Sequence, residues 1–283
     1  MIDETIEEIR EMQTHSSSAV AIKAARALGE LADREFATVE EFRRSLDRNA
    51  SALRRANPSH ASLQNATHEV VDAVEAADPD TVEGAQSATR EAIEDVVDRI
   101  EHGKRRAAER AAERLDDGAT LLTHDYSSTV LEAIDVAVAD GKRFTVYVSE
   151  ARPRYLGRKT ARTLASYDPV DVNLIVDSAW GTVLPRVDEV YVGMDSIVDG
   201  TLYNRVGTFP LAATAEEVGV PVYVVGSEAK VIDGGFVFEN DFRSPSEVMR
   251  EPAEGFEIEN PAYDATPTGL LAAAITDQGV KEF

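Results

Sequence analysis

Hydrophobic positions along the first hundred residues recur at helical spacing. Ile2, Ile6 and Ile9 share one face, and Val20, Ala24, Leu28 and Leu31 do the same behind the hydroxyls Ser16, Ser17 and Ser18, which suit a helix start. Thr38 with Glu41 makes a capping box ahead of Phe42 and Leu46; beyond Pro58 a further helix carries Leu63, Val70 and Val74. A long helical pattern begins at Val82, allows a break at Gly103 and ends at Asp116, Asp117, Gly118. The period then changes. The runs "ATLLTH", "RFTVYVSE", "VDVNLIVDSA", "DEVYVGMD" and "PVYVVGS" are short, β-branched and almost continuously apolar, with helical stretches between them. That is the pattern of a parallel sheet covered on both faces. The expected architecture is α/β: a helical N-terminal domain over 1–81, a connecting helix over 82–117, and a sheet domain over 118–283.

Each strand runs straight into residues capable of chemistry: His124 and Asp125, Glu150 and Arg152, Asp177 and Ser178, Asp195, then Ser227 and Lys230. The carboxyl ends of parallel strands lie on one edge, so these groups are expected to converge on one crevice. Arg152 precedes Pro153, a place where a guanidinium can grip a phosphate; a merely solvated arginine is the plain alternative. Asp195 follows a glycine that lets a ligand approach the backbone, or it simply caps a turn. Ser127, Ser128 and Thr129 open a helix whose free amides suit an anion. Asp177 is read either as a helix N-cap or as a ligand contact, and Thr208 as the cap of the helix after "NRVGT". His124 stands directly before Asp125, where it can orient the carboxyl or satisfy a backbone carbonyl. No GxGxxG or Walker loop is present, so a dinucleotide or NTPase reading has no support, and no cofactor is expected.

Composition narrows the functions. A chain of 283 residues, 43% hydrophobic, can bury a large core, while 29 basic against 52 acidic residues leave a charge of -23 spread along its length. Such an acidic coat, poor in lysine, fits a salt-adapted organism and disfavours direct nucleic-acid binding; the one basic run is "GKRRAAER". Cysteine is absent, which removes disulfides, thiolate metal sites and any thiol nucleophile. His15, His60, His68 and His102 lack the spacing of metal ligands. The N-terminus has no signal pattern and no window approaches a membrane span, so the expected location is cytoplasmic, with no membrane partner.

Four ordered segments carry a resemblance: "VYVSEARPRYLGRKTA", "VDSAWGTVL", "VYVGMDSIVDGTLYNRVGT" and "ENPAYDATP". They are similar to E-[ST]-R-P, D-[SN]-A, V-x-V-G-A-D-x-I with N-K-x-G-T, and E-N-P-x-F-D-x-T-P. These motifs belong to the family that unites the alpha, beta and delta regulatory subunits of translation initiation factor 2B with methylthioribose-1-phosphate isomerase and archaeal ribose-1,5-bisphosphate isomerase. The match spans roughly the last 170 residues and is looser in the helical half, where "NPSHASLQNA" carries it. The resemblance implies a Rossmann-like C-terminal domain, a phosphorylated sugar or nucleotide as ligand, and an oligomer of at least two chains. It also points to contact with translation initiation factor 2 subunits. It places Arg152, Asn204, Arg205 and Lys230 among the ligand contacts and Asp195 as the acid or base that relays a proton between sugar carbons.

Three departures stand out. The isomerases pair that aspartate with a cysteine in a T-H-C segment, and here the position is Asp125. Their R-G-A phosphate segment corresponds to "THSSSAVAIKAA", and their R-P-T to "NPS" at Asn57, Pro58, Ser59. On these grounds the leading expectation is a regulatory subunit of the initiation factor 2B type, binding a sugar phosphate or nucleoside monophosphate without isomerase chemistry. The alternative is an aldose–ketose isomerase in which Asp125 replaces the thiol. If Asp125 and Asp195 face each other, their repulsion raises one pKa unless Arg152 and Lys230, or a divalent cation between them, offset it.

Overall fold

The computed structural model describes residues 2–10, 17–58, 60–232, 238–251 and 254–283. The chain forms two compact units, Met1–Gly103 with Ala229–Glu239, and Lys104–Glu228 with Asn240–Phe283. In the first, helices α1 (Ile2–Arg10), α2 (Ser17–Leu28), α3 (Val39–Ala56), α4 (Ala61–Ala76) and the front of α5 (Val82–Arg114) enclose a core around Leu28, Leu31, Phe42, Leu46, Leu53 and Leu63. The Thr38 cap forms as its spacing demands: Thr38 Oγ1 accepts from the Glu41 amide at 3.1 Å, and the Glu41 carboxylate accepts from the Ala37 amide at 2.9 Å. His60 Nδ1 starts α4 by accepting from the Leu63 amide. The hydroxyl cap expected at Ser16 lies outside the described residues, as do His15 and Ser59. Gly103 does not break α5, which is continuous to Arg114. One glycine costs a helix about 1 kcal/mol, and the buried alanines 107, 108, 111 and 112 that follow hold the helix against the second core.

The second unit is a Rossmann-like α/β domain. Its strands are β1 (Thr120–His124), β2 (Phe144–Ser149), β3 (Val170–Ile175), β4 (Glu189–Gly193) and β7 (Val222–Val225), with α6 (Ser128–Ala139), α7 (Gly157–Leu164), α8 (Trp180–Val183) and α9 (Thr208–Val218) between them. The hairpin β5 (Ser196–Val198) and β6 (Thr201–Arg205) follows β4, turning at Asp199 and Gly200, both at positive φ, as a two-residue Asp-Gly hairpin requires. After β7 the chain passes to the first unit, where it forms the short β8 (Val231–Ile232). It then returns for β9 (Tyr263–Pro267), β10 (Ala273–Ile275) and β11 (Val280–Glu282).

The main sheet runs β11-β10-β7-β4-β1-β2-β3, parallel except at the β11 edge. From β1 the chain winds outward to β3, then crosses back to β4 on the other side. The switch point therefore falls between β1 and β4, and a crevice opens beyond their carboxyl ends. A smaller antiparallel ribbon of β5, β6 and β9 stands beside that edge.

The apolar run from Leu270 to Ala274 follows a tight turn over Thr268–Leu270 and enters β10. A short apolar run between Gly269 and Gly279 is as compatible with a buried strand as with a helix, and pairing with β7 decides it. No helix of the described residues is long and apolar enough to cross a membrane.

Candidate active site

β1 delivers His124 and Asp125 to the switch point. His124 is almost fully buried; its Nε2 lies 2.8 Å from the Val206 carbonyl and its Nδ1 2.6 Å from Ser149 Oγ. A carbonyl only accepts, so Nε2 carries a hydrogen and donates to Val206, and the two contacts fix the orientation of the ring. Trp180 packs edge-on against it. On the other side Gly207, at φ 105°, leaves no room for a side chain: a Cβ there would sit 2.7 Å from His124 Nε2. The histidine thus satisfies a carbonyl and locks β1 to the turn after β6.

Asp125 leaves the strand in the left-handed region, at φ 63°, which aspartate tolerates better than most residues. Thr160 Oγ1 donates to its carbonyl at 2.6 Å and fixes that bend. The carboxyl is buried, and burial raises its pKa, with Arg205 and His124 opposing and Asp195 adding to the rise. Asp195, two residues beyond β4, is half-buried. Between the two acids lies Arg205, its Nε 3.6 Å from Asp125 Oδ2 and 3.7 Å from Asp195 Oδ2. Burial pulls the arginine's pKa down, but Asp195, Tyr263 and Asp125 together drive it further up, so the guanidinium stays charged. The Tyr263 ring lies under it, 4.9 Å from centroid to guanidinium carbon. The cation expected from Arg152, Lys230 or a metal ion is therefore supplied between these carboxyls by Arg205.

Asn204 is buried one residue away and donates to Thr208 Oγ1. Thr208 Oγ1 in turn donates to the Arg205 carbonyl and does not cap α9. Asp264 on β9 caps it instead, its Oδ2 accepting from the amides of Gly207 at 2.7 Å and Phe209 at 3.0 Å. A carboxylate suits the positive end of a helix better than a hydroxyl, which explains why the acid of "ENPAYDATP" displaces the expected threonine.

The loop after β2 is the second wall. Ala151 and Tyr155 have φ of 57° and 59°, and the Arg152–Pro153 peptide is cis. Asp177 holds this loop from β3: its Oδ1 accepts from the Ala151 amide at 2.8 Å and its Oδ2 from the Arg152 amide at 2.7 Å. Both carboxylate oxygens are engaged on backbone, so Asp177 shapes the loop. Glu150 is likewise occupied, accepting from Arg158 Nη2 at 2.7 Å. Arg152 donates to the Val248 carbonyl at 3.1 Å and stays exposed. Ser127 caps α6 through the Val130 amide, and Gly193 permits this close approach, since a Cβ there would meet Ser127 Oγ at 2.7 Å. Ser128 is exposed. Lys230 belongs to the first unit.

A crevice of about 320 Å³, counted to its open mouth, is lined by Asp125, Arg152, Pro153, Arg154, Arg205, Arg243 and Asn260 among others. Arg154 and Arg243 were not among the residues expected. Arg154 lay in plain view in "EARPR", one residue past the proline; Arg243 comes from an irregular segment with no periodic signal. Arg243 is clamped by Glu247, donating to its oxygens at 2.8 to 3.1 Å. Asn260 braces the same carboxylate and the Ser244 carbonyl. Four arginines in one crevice of a chain with net charge -23 is a local reversal of sign, the arrangement that receives an anion. Among the described residues no group of three or more metal-ligating side chains converges.

The initiation factor 2 subunit family model matches residues 13–282. The chain belongs to that family. Relatives include ribose 1,5-bisphosphate isomerase from Haloferax volcanii, 34% identical across 97% of this chain and 87% of the relative. The protein of the same name from Methanocaldococcus jannaschii is 33% identical across 99% and 91%. Among solved structures, the translation initiation factor eIF-2B of Pyrococcus horikoshii OT3 superimposes with TM-score 0.79 at 26% identity, covering 99% of this chain and 96% of the other. The 5-methylthioribose 1-phosphate isomerase of the same organism gives 0.75 at 27%, covering 99% and 83%. These findings overturn the expectation of a regulatory subunit without isomerase chemistry. Six nearly full-length relatives at 31 to 34% identity bear the name of the isomerase.

Proposed function

We propose that this chain is an aldose–ketose isomerase acting on ribose 1,5-bisphosphate or a closely related sugar phosphate, with Asp125 in place of the family's cysteine. One observation carries the reading: Asp125 and Asp195 bracket the same guanidinium at the switch point, inside an arginine-lined crevice.

The reaction moves one hydrogen between neighbouring carbons. A base removes the C2 proton while an acid protonates the ring oxygen as its bond to C1 breaks, leaving an enol between C1 and C2. Protonation at C1 and loss of the C2 hydroxyl proton then give the ketone. Two carboxyls serve these transfers if one is protonated when the other is not. Their environments differ in the required sense: Asp125 is buried and its pKa is raised, while Asp195 is more open. Arg205 beside both stabilises the negative charge that develops on the enol oxygen. The phosphates are held by the arginines of the crevice. In the same reading the protein works in the cytoplasm as at least a dimer.

The test is product formation. Purified protein in concentrated KCl, given ribose 1,5-bisphosphate, is expected to yield ribulose 1,5-bisphosphate by ³¹P NMR. Asp125→Asn and Asp195→Asn should each lower kcat by roughly 10² to 10⁴ with the circular dichroism spectrum unchanged. Full activity in both variants, or no product from the unaltered protein, refutes the assignment.

A further inference from the structure

The four crevice arginines are not equivalent. Arg205 is matched by two carboxylates, Arg243 is forked onto Glu247, and Arg152 donates to the Val248 carbonyl while lying over the Tyr155 ring. Arg154 makes neither a hydrogen bond nor an ion pair among the described residues. It is half-buried beside like charge: after burial itself, repulsion from Arg243 and Arg205 weighs most on it, and the attraction of Glu247 and Asp125 offsets that only in part. A guanidinium in that position has lost part of its water without gaining a partner, and two neighbouring cations repel it. Folding has no reason to hold it there. The arrangement is stable only because the loop that bears it is fixed elsewhere: by Asp177 on two backbone amides, and by Gly157, where a Cβ would collide with the Ser149 carbonyl and Gly alone fits. An anion bridging Arg154 and Arg243 would relieve both the repulsion and the unmet hydrogen-bonding capacity.

Resting on the isomerase reading above, we propose that Arg154, backed by Arg243, is the specificity residue for the phosphate remote from the reacting carbons, the 5-phosphate of a bisphosphorylated pentose. The assignment of ends follows from the carboxyls. C1 and C2 must lie at Asp125 and Asp195, so the 1-phosphate sits beside Arg205, whose Nε reaches both acids. Arg154 contacts neither acid and takes the other end. Arg243 keeps its fork to Glu247 and contributes its remaining charge, which makes Arg154 the variable element. A chain with an apolar residue at position 154 would accept sugars whose C5 substituent carries no charge.

Binding is measured by calorimetry with ribose 1,5-bisphosphate, ribose 5-phosphate and ribose 1-phosphate, on the unaltered protein and on Arg154→Met and Arg154→Lys. Arg154→Met is expected to weaken the bisphosphate and the 5-phosphate by tenfold or more and to change ribose 1-phosphate less than twofold. Arg154→Lys should recover part of the loss, because charge is kept and the fork is not. Arg162→Met, exposed on α7, serves as the control and should alter none of the three. An equal loss for all three ligands, or no loss for any, overturns the subsite; so does a loss confined to ribose 1-phosphate. Calorimetry does not depend on turnover. A protein that binds with this pattern but forms no ketose keeps the subsite and refutes the isomerase reading, whereas turnover with unchanged 5-phosphate affinity in Arg154→Met does the reverse.

Discussion

At position 125 the backbone and the side chain make separate demands. The left-handed bend selects a residue such as aspartate or asparagine, and the buried setting raises the pKa of whatever acid stands there. Because the folded pKa lies above the unfolded one, stability from this group is largest below the unfolded value and falls as pH rises through the folded value. If Asp125 acts as the base, the acidic limb of kcat lies above the ordinary aspartate range. Replacing it by a thiol should move that limb much further, toward the cysteine pKa of about 8.5. A pH–rate profile of Asp125→Cys checks this; a limb that does not move places the base elsewhere. The residue pattern "THD" made the position legible. What it did not reveal was the cation between the acids, because Arg205 arrives from a hairpin that no periodicity announces.

Among the elements, the loop from Ala151 to Leu156 shows how a binding surface is held by something outside it. Asp177 reaches across from the end of β3 and takes two consecutive amides, so its loss frees the segment that carries Arg152 and Arg154. Asp177→Ala is expected to raise KM at least tenfold while reducing kcat less, with stability lower by about 1 to 3 kcal/mol in urea unfolding. Equal losses in both parameters would instead mean that Asp177 acts on the chemistry. The alternation of apolar runs and helical stretches was enough to place β1, β2, β3, β4 and β7 and hence the crevice edge. The hairpin β5–β6, the cap by Asp264 and the strand β10 were not legible. Each is decided by partners distant in sequence: Asp264 reaches Gly207, and β10 becomes a strand by pairing with β7.

For the whole molecule, charge is distributed in opposite senses outside and inside the crevice. The acidic surface repels itself over about 30 Å at 10 mM salt and only about 3 Å at 1 M, so stability should climb with KCl. A rise in Tm of roughly 10 °C between low and molar salt corresponds to a few kcal/mol for a chain of this size. The arginine crevice obeys the same screening with the opposite result, because added salt weakens its hold on phosphate. Thermal melting and phosphate affinity, measured along one KCl series, should therefore move in opposite directions; parallel trends would show that the crevice does not carry the affinity. The carboxyl at the end of β1 also bears on how such a protein fails. A thiolate base is open to oxidation, alkylation and capture by soft metals, and a carboxyl is open to none of these. With no sulfhydryl anywhere in the chain, thiol-directed inactivation by peroxide, iodoacetamide or mercury has no target.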